Sequence, residues 1–187
     1  MGALERYDEA IALQTRAQEL DPLAHRLDVI TTLLRAGRYA QAVERGRDAL
    51  ALDRDYDRAH ATLGWAYFLN GQKSEGLAEL ERAVSISPTS TLWLGQLGQA
   101  YAIAGDTTKA RDILRQLEDR GRAGFVSPYH LAYVYTGLGE SDEAIRCLER
   151  AVAERTGPAY SIRGSFLLTS LHAHPRFQAL LQRMGLS

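Results

Sequence analysis

Histidine and cysteine side chains are the first candidates for chemistry in this chain of 187 residues. His172 and His174 alternate, so in an extended segment they would face the same side and could bind one metal ion. No cysteine or carboxylate lies close to them with ligand spacing, which favours two solvent-facing histidines before a proline turn. Cys147 is the single cysteine, and its helical spacing from two alanines predicts a small buried residue rather than a nucleophile.

Phosphate-binding and acid–base motifs give no better candidate. The sequence has no G-x-x-x-x-G-K motif and no G-x-G-x-x-G after a strand, and "GRAG" at 121–124 is predicted to end a helix. The arginines between 111 and 122 alternate with acidic residues, which is typical of a solvated helix face. We therefore expect a protein that is not an enzyme and that has no metal and no cofactor.

Charge and hydropathy limit the classes of partner. The net charge is -1, with 22 basic and 23 acidic residues spread along the chain, so we expect neither nucleic acid nor an anionic membrane as a partner. No apolar run approaches the length of a membrane helix. A single cysteine excludes an internal disulfide and suits a reducing compartment, so a cytoplasmic location is expected.

Four glycines recur at an interval of 34 residues: Gly37, Gly71, Gly105 and Gly139. Leucine or tyrosine stands four residues before each of them, and alanine or glycine stands five residues after. Further positions repeat at spacings of three, four and seven, which is the periodicity of amphipathic helices. Each unit is therefore predicted to be two helices joined by a tight turn, with the glycine in the left-handed conformation that ends the first helix.

Small residues mark the place where the two helices of a unit should approach each other. Gly64, Gly98 and Ala132 lie on first helices, and Ala42, Ala110 and Ala144 lie on second helices. The tyrosines before the glycines are predicted to fill the space between successive units. A helical bundle with coincidental spacing is the alternative, but it would have to explain several columns in phase over four units.

These residues resemble the tetratricopeptide repeat family, whose 34-residue helix–turn–helix carries Leu-Gly and then Tyr in its first helix, with Ala and then Pro around the second. The stretches "LGWAYFLNGQKSEGLAELERAVSISP" (63–88) and "LGQAYAIAGDTTKARDIL" (97–114) carry this pattern best. The resemblance implies an all-α, right-handed solenoid of about four and a half repeats with a C-terminal capping helix. The chain departs from the family where Arg54, Arg122 and Thr156 replace the closing proline.

The phase of the repeat predicts the domain boundaries. Residues 1–158 should form the repeat array, and residues 159–187 should form a C-terminal capping segment. Within the array we expect a partial repeat at 4–22 and full repeats at 23–56, 57–90, 91–124 and 125–158. The predicted helix pairs are 23–36/39–52, 57–70/73–86, 91–104/107–120 and 128–138/141–154. Ser127 and Pro128 should begin the last pair as N-cap and first helical residue.

The partial repeat lacks its first helix, which would leave Leu4, Ile11 and Leu13 uncovered, although repeat arrays need polar caps. Two explanations stay open. The chain is a fragment of a longer protein, which we favour, or an oligomer covers that end.

The chain leaves the 34-residue period in its last stretch, "GPAYSIRGSFLLTSLHAHPRFQALLQRMGLS" (157–187). A helix is predicted there over 175–184, with three apolar residues on one side: Phe177, Leu180 and Leu181. The sequence "HPRFQALLQRMGL" resembles a tail found where such repeats end bacterial multidomain proteins, in which Asp usually stands in place of His174. This resemblance implies that the chain is the C-terminal region of a larger bacterial regulatory protein and that the tail caps the last repeat.

In this family the first helices line a concave groove that binds extended peptides or partner helices. The resemblance places the following residues on that face: Asp28, Thr31, Arg35, Arg58, Thr62, Trp65, Phe68, Leu69, Gln96, Gln99, Ile103, Tyr129, His130 and Tyr133. The Lys, Asn and Arg residues with which part of the family clamps chaperone carboxylates are absent from the corresponding positions. The remaining surface is aromatic and sparsely charged.

Aromatic residues on this face are the candidate binding anchors. Trp65 and the pair Tyr129 and Tyr133 offer large contact areas at low entropic cost. Packing against neighbouring repeats is the alternative for Trp65 and Phe68, and both interpretations stay open. The glutamines on the same face could donate to and accept from the backbone of a peptide.

Three functions follow from these patterns. The first is a non-catalytic scaffold that binds a protein or peptide partner in the groove. The second is a module that self-associates through the N-terminal half-repeat. The third is an enzyme that uses the C-terminal tail and the groove. The scaffold is favoured because the fold offers an elongated binding surface and the sequence offers no acid–base or metal constellation.

Overall fold

The computed structural model describes residues 3–21, 27–156 and 162–186. These residues form ten α-helices and one 3₁₀ helix, with no strand among them, which confirms the all-α prediction. The α-helices are α1 (Ala3–Leu20), α2 (Asp28–Arg35), α3 (Tyr39–Leu52), α4 (Asp57–Leu69), α5 (Lys73–Ile86), α6 (Thr91–Ala104), α7 (Thr107–Ala123), α8 (Pro128–Leu138), α9 (Ser141–Ala153) and α10 (Pro175–Arg183). The 3₁₀ helix, Phe166–Leu171, lies between α9 and α10.

The chain divides into two compact units, Met1–Ser87 (unit 1) and Pro88–Ser187 (unit 2). Unit 1 contains α1 and the helix pairs α2/α3 and α4/α5, and unit 2 contains the pairs α6/α7 and α8/α9 with the C-terminal helices. The helices agree with the predicted pairs to within a few residues, although the predicted start of α2 at 23 lies outside the described residues. The largest difference is in α7, which continues three residues beyond its predicted end at 120.

The turn between the two helices of each repeat has one hydrogen-bonded form. All four repeated glycines are left-handed, with φ of 73°, 86°, 97° and 76°. At Gly71 the glycine amide donates to the Phe68 carbonyl at 3.2 Å, and the amide of Gln72 donates to the Tyr67 carbonyl at 2.9 Å. This pair of bonds is the Schellman motif, which satisfies carbonyls that the helix end would otherwise leave unpaired. The predicted role of the glycines is therefore confirmed.

The small residues in unit 1 let two helix backbones approach closely. A Cβ atom added to Gly64 of α4 would lie 2.9 Å from the carbonyl oxygen of Gly76 in α5. A Cβ atom added to Gly76 would lie 2.7 Å from the carbonyl oxygen of Gly64. Both distances are too short for a real Cβ atom, so the contact between α4 and α5 depends on two facing glycines. The close approach at Gly64 is as the sequence predicts.

The repeated tyrosines join consecutive repeats within each unit. In unit 1 the Nε of Arg47 on α3 donates to the hydroxyl of Tyr67 on α4 at 2.8 Å. In unit 2 the hydroxyl of Tyr135 on α8 donates to Oε1 of Glu118 on α7 at 3.5 Å. Tyr67 and Tyr135 thus contact the second helix of the preceding repeat in the same unit, in the place that the sequence predicts.

The last helix pair begins and is covered as the sequence predicts. The Ser127 hydroxyl accepts a hydrogen bond from the Tyr129 amide at 3.3 Å, and Pro128 is the first residue of α8. Helix α10 packs against α9 and buries its three predicted apolar residues, Phe177, Leu180 and Leu181.

Ion pairs hold α10 on α9. Arg176 makes a bidentate contact with Glu149, from Nε at 3.1 Å and from Nη2 at 2.6 Å. Arg183 reaches the same carboxylate at 3.3 Å. The hydrogen bond from Arg176 is the main reason why the pKa of Glu149 lies below its usual value. Bidentate arginine contacts have defined geometry, so they fix the orientation of α10.

The N-terminal helix α1 packs against α2 and is joined to the first turn of the array by an ion pair between Asp8 and Arg38. Leu13 is 65% exposed and Leu20 is 77% exposed, whereas Ile11 is half-buried. The Leu4 side chain lies outside the described part of the chain. In the part that is described, no helix is long and apolar enough to span a bilayer.

Candidate functional site

The predicted binding face of unit 1 lies on α2 and α4. Three of its residues are exposed: Asp28, Arg35 and Arg58. Three are half-buried: Thr31, Thr62 and Leu69. The two aromatic residues are buried, with Trp65 at 3% and Phe68 at 5% exposure. A ligand on this face would therefore meet polar and charged side chains first, and we call the six accessible residues the unit 1 surface.

The two aromatics of unit 1 belong to one packed cluster. Their rings lie edge to face, with centroids 5.5 Å apart. The Cβ of Phe68 lies 2.9 Å from the position that a Cβ on Gly76 would take, so this side chain leaves α4 toward α5. Burial and this contact favour the packing interpretation for Phe68. Binding by Trp65 stays a prediction, and its burial weighs against direct contact with a ligand.

The predicted binding face of unit 2 lies on α6 and α8 and is mostly covered. Ile103 is 45% exposed and His130 is half-buried. The other four residues are buried: Gln96, Gln99, Tyr129 and Tyr133. Helices α6 and α8 contact each other closely, since a Cβ on Gly95 would lie 2.5 Å from the carbonyl oxygen of His130.

The chain itself occupies part of this face. The side-chain amide of Gln99 donates from Nε2 to the backbone carbonyl of Leu167, which lies in the 3₁₀ helix, at 2.6 Å. The 3₁₀ helix also contacts α8, the helix that carries Tyr129 and Tyr133. Gln99 was predicted to bind a peptide backbone, and in the structure it binds the backbone of residue 167.

The two tyrosines of α8 form a buried pair. Their ring centroids are 5.0 Å apart and their planes meet at 82°, which is the edge-to-face geometry that aromatic rings prefer. Burial is the main cause that raises the pKa of Tyr133 well above its ordinary value, with a smaller contribution from Tyr129. Gln96 acts in the opposite direction through a hydrogen bond to Tyr133. The Tyr133 phenol therefore stays neutral at physiological pH.

His130 is the titratable group of this face. Its Nδ1 lies 2.9 Å from the hydroxyl of Thr91 at the start of α6. Burial lowers the pKa of His130 to about 4, because the charged ring would lose its hydration. The imidazole is therefore neutral at pH 7 and makes a polar contact between α6 and α8.

The other histidines of the described chain have structural contacts. His172 is half-buried and stacks on Phe177 at 5.5 Å, so the prediction of a solvent-facing ring is wrong for this residue. Its neighbour, His174, accepts the Arg176 amide at Nδ1 and so caps α10, a role that Asp would fill equally well. The Nδ1 of His60 lies 2.6 Å from Oε2 of Glu79, and its Nε2 lies 2.9 Å from the carbonyl oxygen of Arg54.

Cys147 and the possible metal-ligating side chains are the remaining candidates for chemistry. Burial raises the pKa of the Cys147 thiol, which lowers its thiolate fraction at neutral pH. Within residues 3–21, 27–156 and 162–186, no three His, Cys, Asp or Glu side chains are grouped so that they could hold a metal ion.

Sequence reasoning missed two features of this site. It did not predict the 3₁₀ helix, and it did not predict the contact of that helix with Gln99. One signal was available, because "FLLTSL" (166–171) is the most apolar stretch between α9 and α10 and must be buried somewhere.

Comparison with known proteins identifies the class. Profiles of the tetratricopeptide repeat match residues 33–93, 93–116 and 129–155, which together are more than half of the chain. The chain is a tetratricopeptide repeat (TPR) protein.

Solved structures share its fold. TTC0263, a thermophilic TPR protein of Thermus thermophilus, has a TM-score of 0.63 at 26% identity, over 89% of this chain and 93% of its own. MamA has a TM-score of 0.53 at 22% identity, over 83% of this chain and 95% of its own, which shows the fold alone. Among curated proteins, none matches the sequence significantly.

Proposed function

We propose that this TPR protein is a non-catalytic scaffold that binds a peptide or partner helix on the first-helix faces of its units. TPR proteins in general act through protein partners. The proposal assigns ligand contact to the unit 1 surface and, in unit 2, to Ile103, His130 and the residues beneath the 3₁₀ helix.

The hydrogen bond between Gln99 and Leu167 carries this proposal. A side-chain amide can donate to a carbonyl and accept from an amide, so it can bind a peptide backbone whatever the sequence of the peptide. In unit 2 this bond is made at 2.6 Å to a segment 68 residues away in the chain. The same segment buries Leu167, Leu168 and Leu171. A backbone contact together with buried leucines is what recognition of a partner peptide would require.

Matched surface variants test the proposal. Ile103 lies on the binding face and is 45% exposed, and Leu52 lies at the end of a second helix and is 57% exposed. Wild type and the variants Ile103→Asp and Leu52→Asp would be immobilised and used to capture partners from a lysate of the source organism. We expect wild type and Leu52→Asp to retain the same partner and Ile103→Asp to lose most of it. Equal capture by both variants would refute the assignment of ligand contact to the unit 2 face.

The captured partner then allows an affinity measurement. The accessible residues of the unit 2 face, Ile103 and His130, are uncharged at neutral pH, so for contact there we expect an affinity on the order of micromolar, or about 8 kcal/mol, with weak dependence on salt. Trp65→Ala and Tyr133→Ala separate anchoring from packing. An anchor would lose roughly 2 kcal/mol of binding when truncated. Truncation of a packing residue would lower the folding stability, whereas the protein that remained folded would bind the partner with unchanged affinity.

The proposal includes the context of the chain. We propose that it belongs to a larger bacterial regulatory protein and acts in the cytoplasm, since the sequence of α10 resembles the tails of such proteins and Cys147 suits a reducing compartment. The genomic sequence upstream of residue 1 tests this part. A stop codon in frame directly before Met1 would contradict it.

Self-association is a second candidate, favoured by the exposure of α1. Leu13 and Leu20 are seven residues apart, so they lie on the same side of the helix, and they are 65% and 77% exposed. A two-fold dimer through α1 would bury both. Sedimentation velocity of wild type and of the Leu13→Ser/Leu20→Ser variant tests it. A monomeric wild type at high concentration would rule it out.

A further inference from the structure

The segment between α9 and α10 is packed like a bound ligand. Residues 162–171 within it include Ile162, Leu168 and Leu171, all three with no exposed surface. Leu167 is 8% exposed, and its carbonyl accepts the hydrogen bond from Gln99. The segment thus places leucine side chains and a backbone carbonyl on the face of unit 2 that was predicted to bind a partner.

The fit of this segment is incomplete at one atom. Gln99 is only 1% exposed, and its Oε1 is buried and has no hydrogen-bond partner. A buried acceptor without a partner carries a penalty that corresponds to roughly a tenfold change in an equilibrium constant. A peptide that offered both a carbonyl and an amide to Gln99 would remove this penalty. The internal segment therefore leaves room for a ligand that binds more tightly.

The hydrogen bonds inside the segment are local. The Leu168 amide donates to the Ser165 carbonyl at 3.1 Å, and the Ser165 amide donates to the Ile162 carbonyl at 3.4 Å. Short 3₁₀ turns have poorer hydrogen-bond geometry than α-helices. Release of the segment would leave the α-helical hydrogen bonds of α6–α9 intact, so it can open without unfolding the repeats.

We infer that residues 162–171 are an internal ligand that covers the partner-binding face of unit 2 and that a partner must displace it. The inference rests on the proposed function, because the displaced face is the one that the scaffold would use. It also gives the chemistry of the partner. The partner segment carries two adjacent leucines and a third three positions later, as Leu167, Leu168 and Leu171 do, with a backbone that can pair with both polar atoms of Gln99.

Thiol labelling measures the release directly. In a Cys147→Ser background, Leu171→Cys would place a thiol on the buried side of the segment itself, and Leu148→Cys would place one in α9. The two leucines are matched, since neither has exposed surface. If the segment opens by itself, the Leu171→Cys protein reacts with a thiol reagent at least 100-fold faster than the Leu148→Cys protein. Equal rates would mean that both positions open only when the protein unfolds, which would overturn the inference.

A synthetic peptide tests whether the uncovered face accepts a ligand. The peptide IRGSFLLTSLHAH copies residues 162–174. A tethered segment has an effective concentration on the order of 1 mM, so peptide at about 1 mM should displace it from roughly half of the molecules. Labelling of Leu171→Cys should then rise at least tenfold. A control peptide with serine at its three leucines should have no effect, and a copy peptide without effect would also overturn the inference.

A measurement on wild-type protein makes the test independent of whether the cysteine variants fold. Fluorescence anisotropy of the labelled copy peptide should show binding to wild type with a Kd on the order of 1 mM, and the serine peptide should show none. Absence of binding at several millimolar would contradict the inference independently of any substitution. The capture experiment with Ile103→Asp does not depend on these results. A scaffold whose unit 2 face is permanently covered would not bind the copy peptide, but it would still retain its partner in the capture experiment.

Discussion

The two facing glycines of unit 1 give the most direct test of the packing described above. In Gly76→Ala the added methyl group would lie 2.7 Å from the Gly64 carbonyl oxygen and 2.9 Å from the amide nitrogen of Phe68. Both neighbours are backbone atoms, so a rotamer change cannot relieve the contact and α4 must move away from α5. Inserting a methyl group into a packed interior destabilises by about 1–3 kcal/mol. Alanine regains about 1 kcal/mol of helix propensity relative to glycine.

The net expectation for Gly76→Ala is a loss of up to about 2 kcal/mol of unfolding free energy. Urea denaturation followed by circular dichroism measures it, with the midpoint falling and the slope unchanged. Gly121→Ala is the matched control, because it is the same substitution within a helix and its nearest neighbour, the Cβ of Val126, would be 3.8 Å away. That variant should gain up to about 1 kcal/mol. If Gly76→Ala were stabilised like the control, the two backbones would not be in contact and the packing argument would fail.

Other predictions concern the turns, the buried histidine and the C-terminal cap. Arg155 has a φ of 52°, so Arg155→Gly should gain about 1 kcal/mol in the same denaturation assay, and a loss would show that the backbone there is unstrained. Since burial lowers the folded-state pKa of His130 from 6.5 to about 4, the unfolded chain binds the extra proton between these values. Stability should therefore fall on the order of 3 kcal/mol as pH drops from about 6.5 to about 4, and His130→Gln should remove this loss. If the pH dependence of stability were unchanged in that variant, the loss would come from carboxylates instead of His130. Phe177 has no exposed surface, so Phe177→Ala should lower stability by about 3–5 kcal/mol, whereas the exposed Gln182→Ala should change it by less than about 0.5 kcal/mol. Deletion of 159–187 should cost several kcal/mol, and an unchanged melting temperature would show that the tail is not a cap.

The repeat could be predicted from sequence because its determinants are local. A glycine at the end of each first helix fixes the turn, and the residue four positions earlier, tyrosine in three of the repeats, supplies the carbonyl that the turn uses. Both signals lie within about one helical turn, so they recur visibly at 34 residues. The prediction of the N-cap at Ser127 and of the apolar side of α10 was confirmed for the same reason.

The occupant of the binding face could not be predicted, because its determinants are distant in sequence. The residues that meet at the 2.6 Å bond, Gln99 and Leu167, are 68 positions apart, and the segment that joins them to α10 follows no period. A family resemblance gives the direction of a side chain on a repeat. It does not say what lies on top of it, and for this reason the sequence left binding and packing open for the aromatics of α4 and α8, which the structure buries.

The Schellman turns also bear on how such a chain can change its length during evolution. Each turn pairs its amides with carbonyls three and five residues upstream, and an added Cβ at Gly37, Gly71, Gly105 or Gly139 would meet no atom within 4 Å. A gene duplication or deletion of 34 codons would therefore carry every turn hydrogen bond along with it. The repeats of unit 1 are free to vary in number on these terms. The repeats that bind the C-terminal segment are not free to vary in number. Loss of Gln99 or of α8 would leave the buried apolar side chains of that segment without a surface to pack against. Selection should therefore hold that end of the array constant.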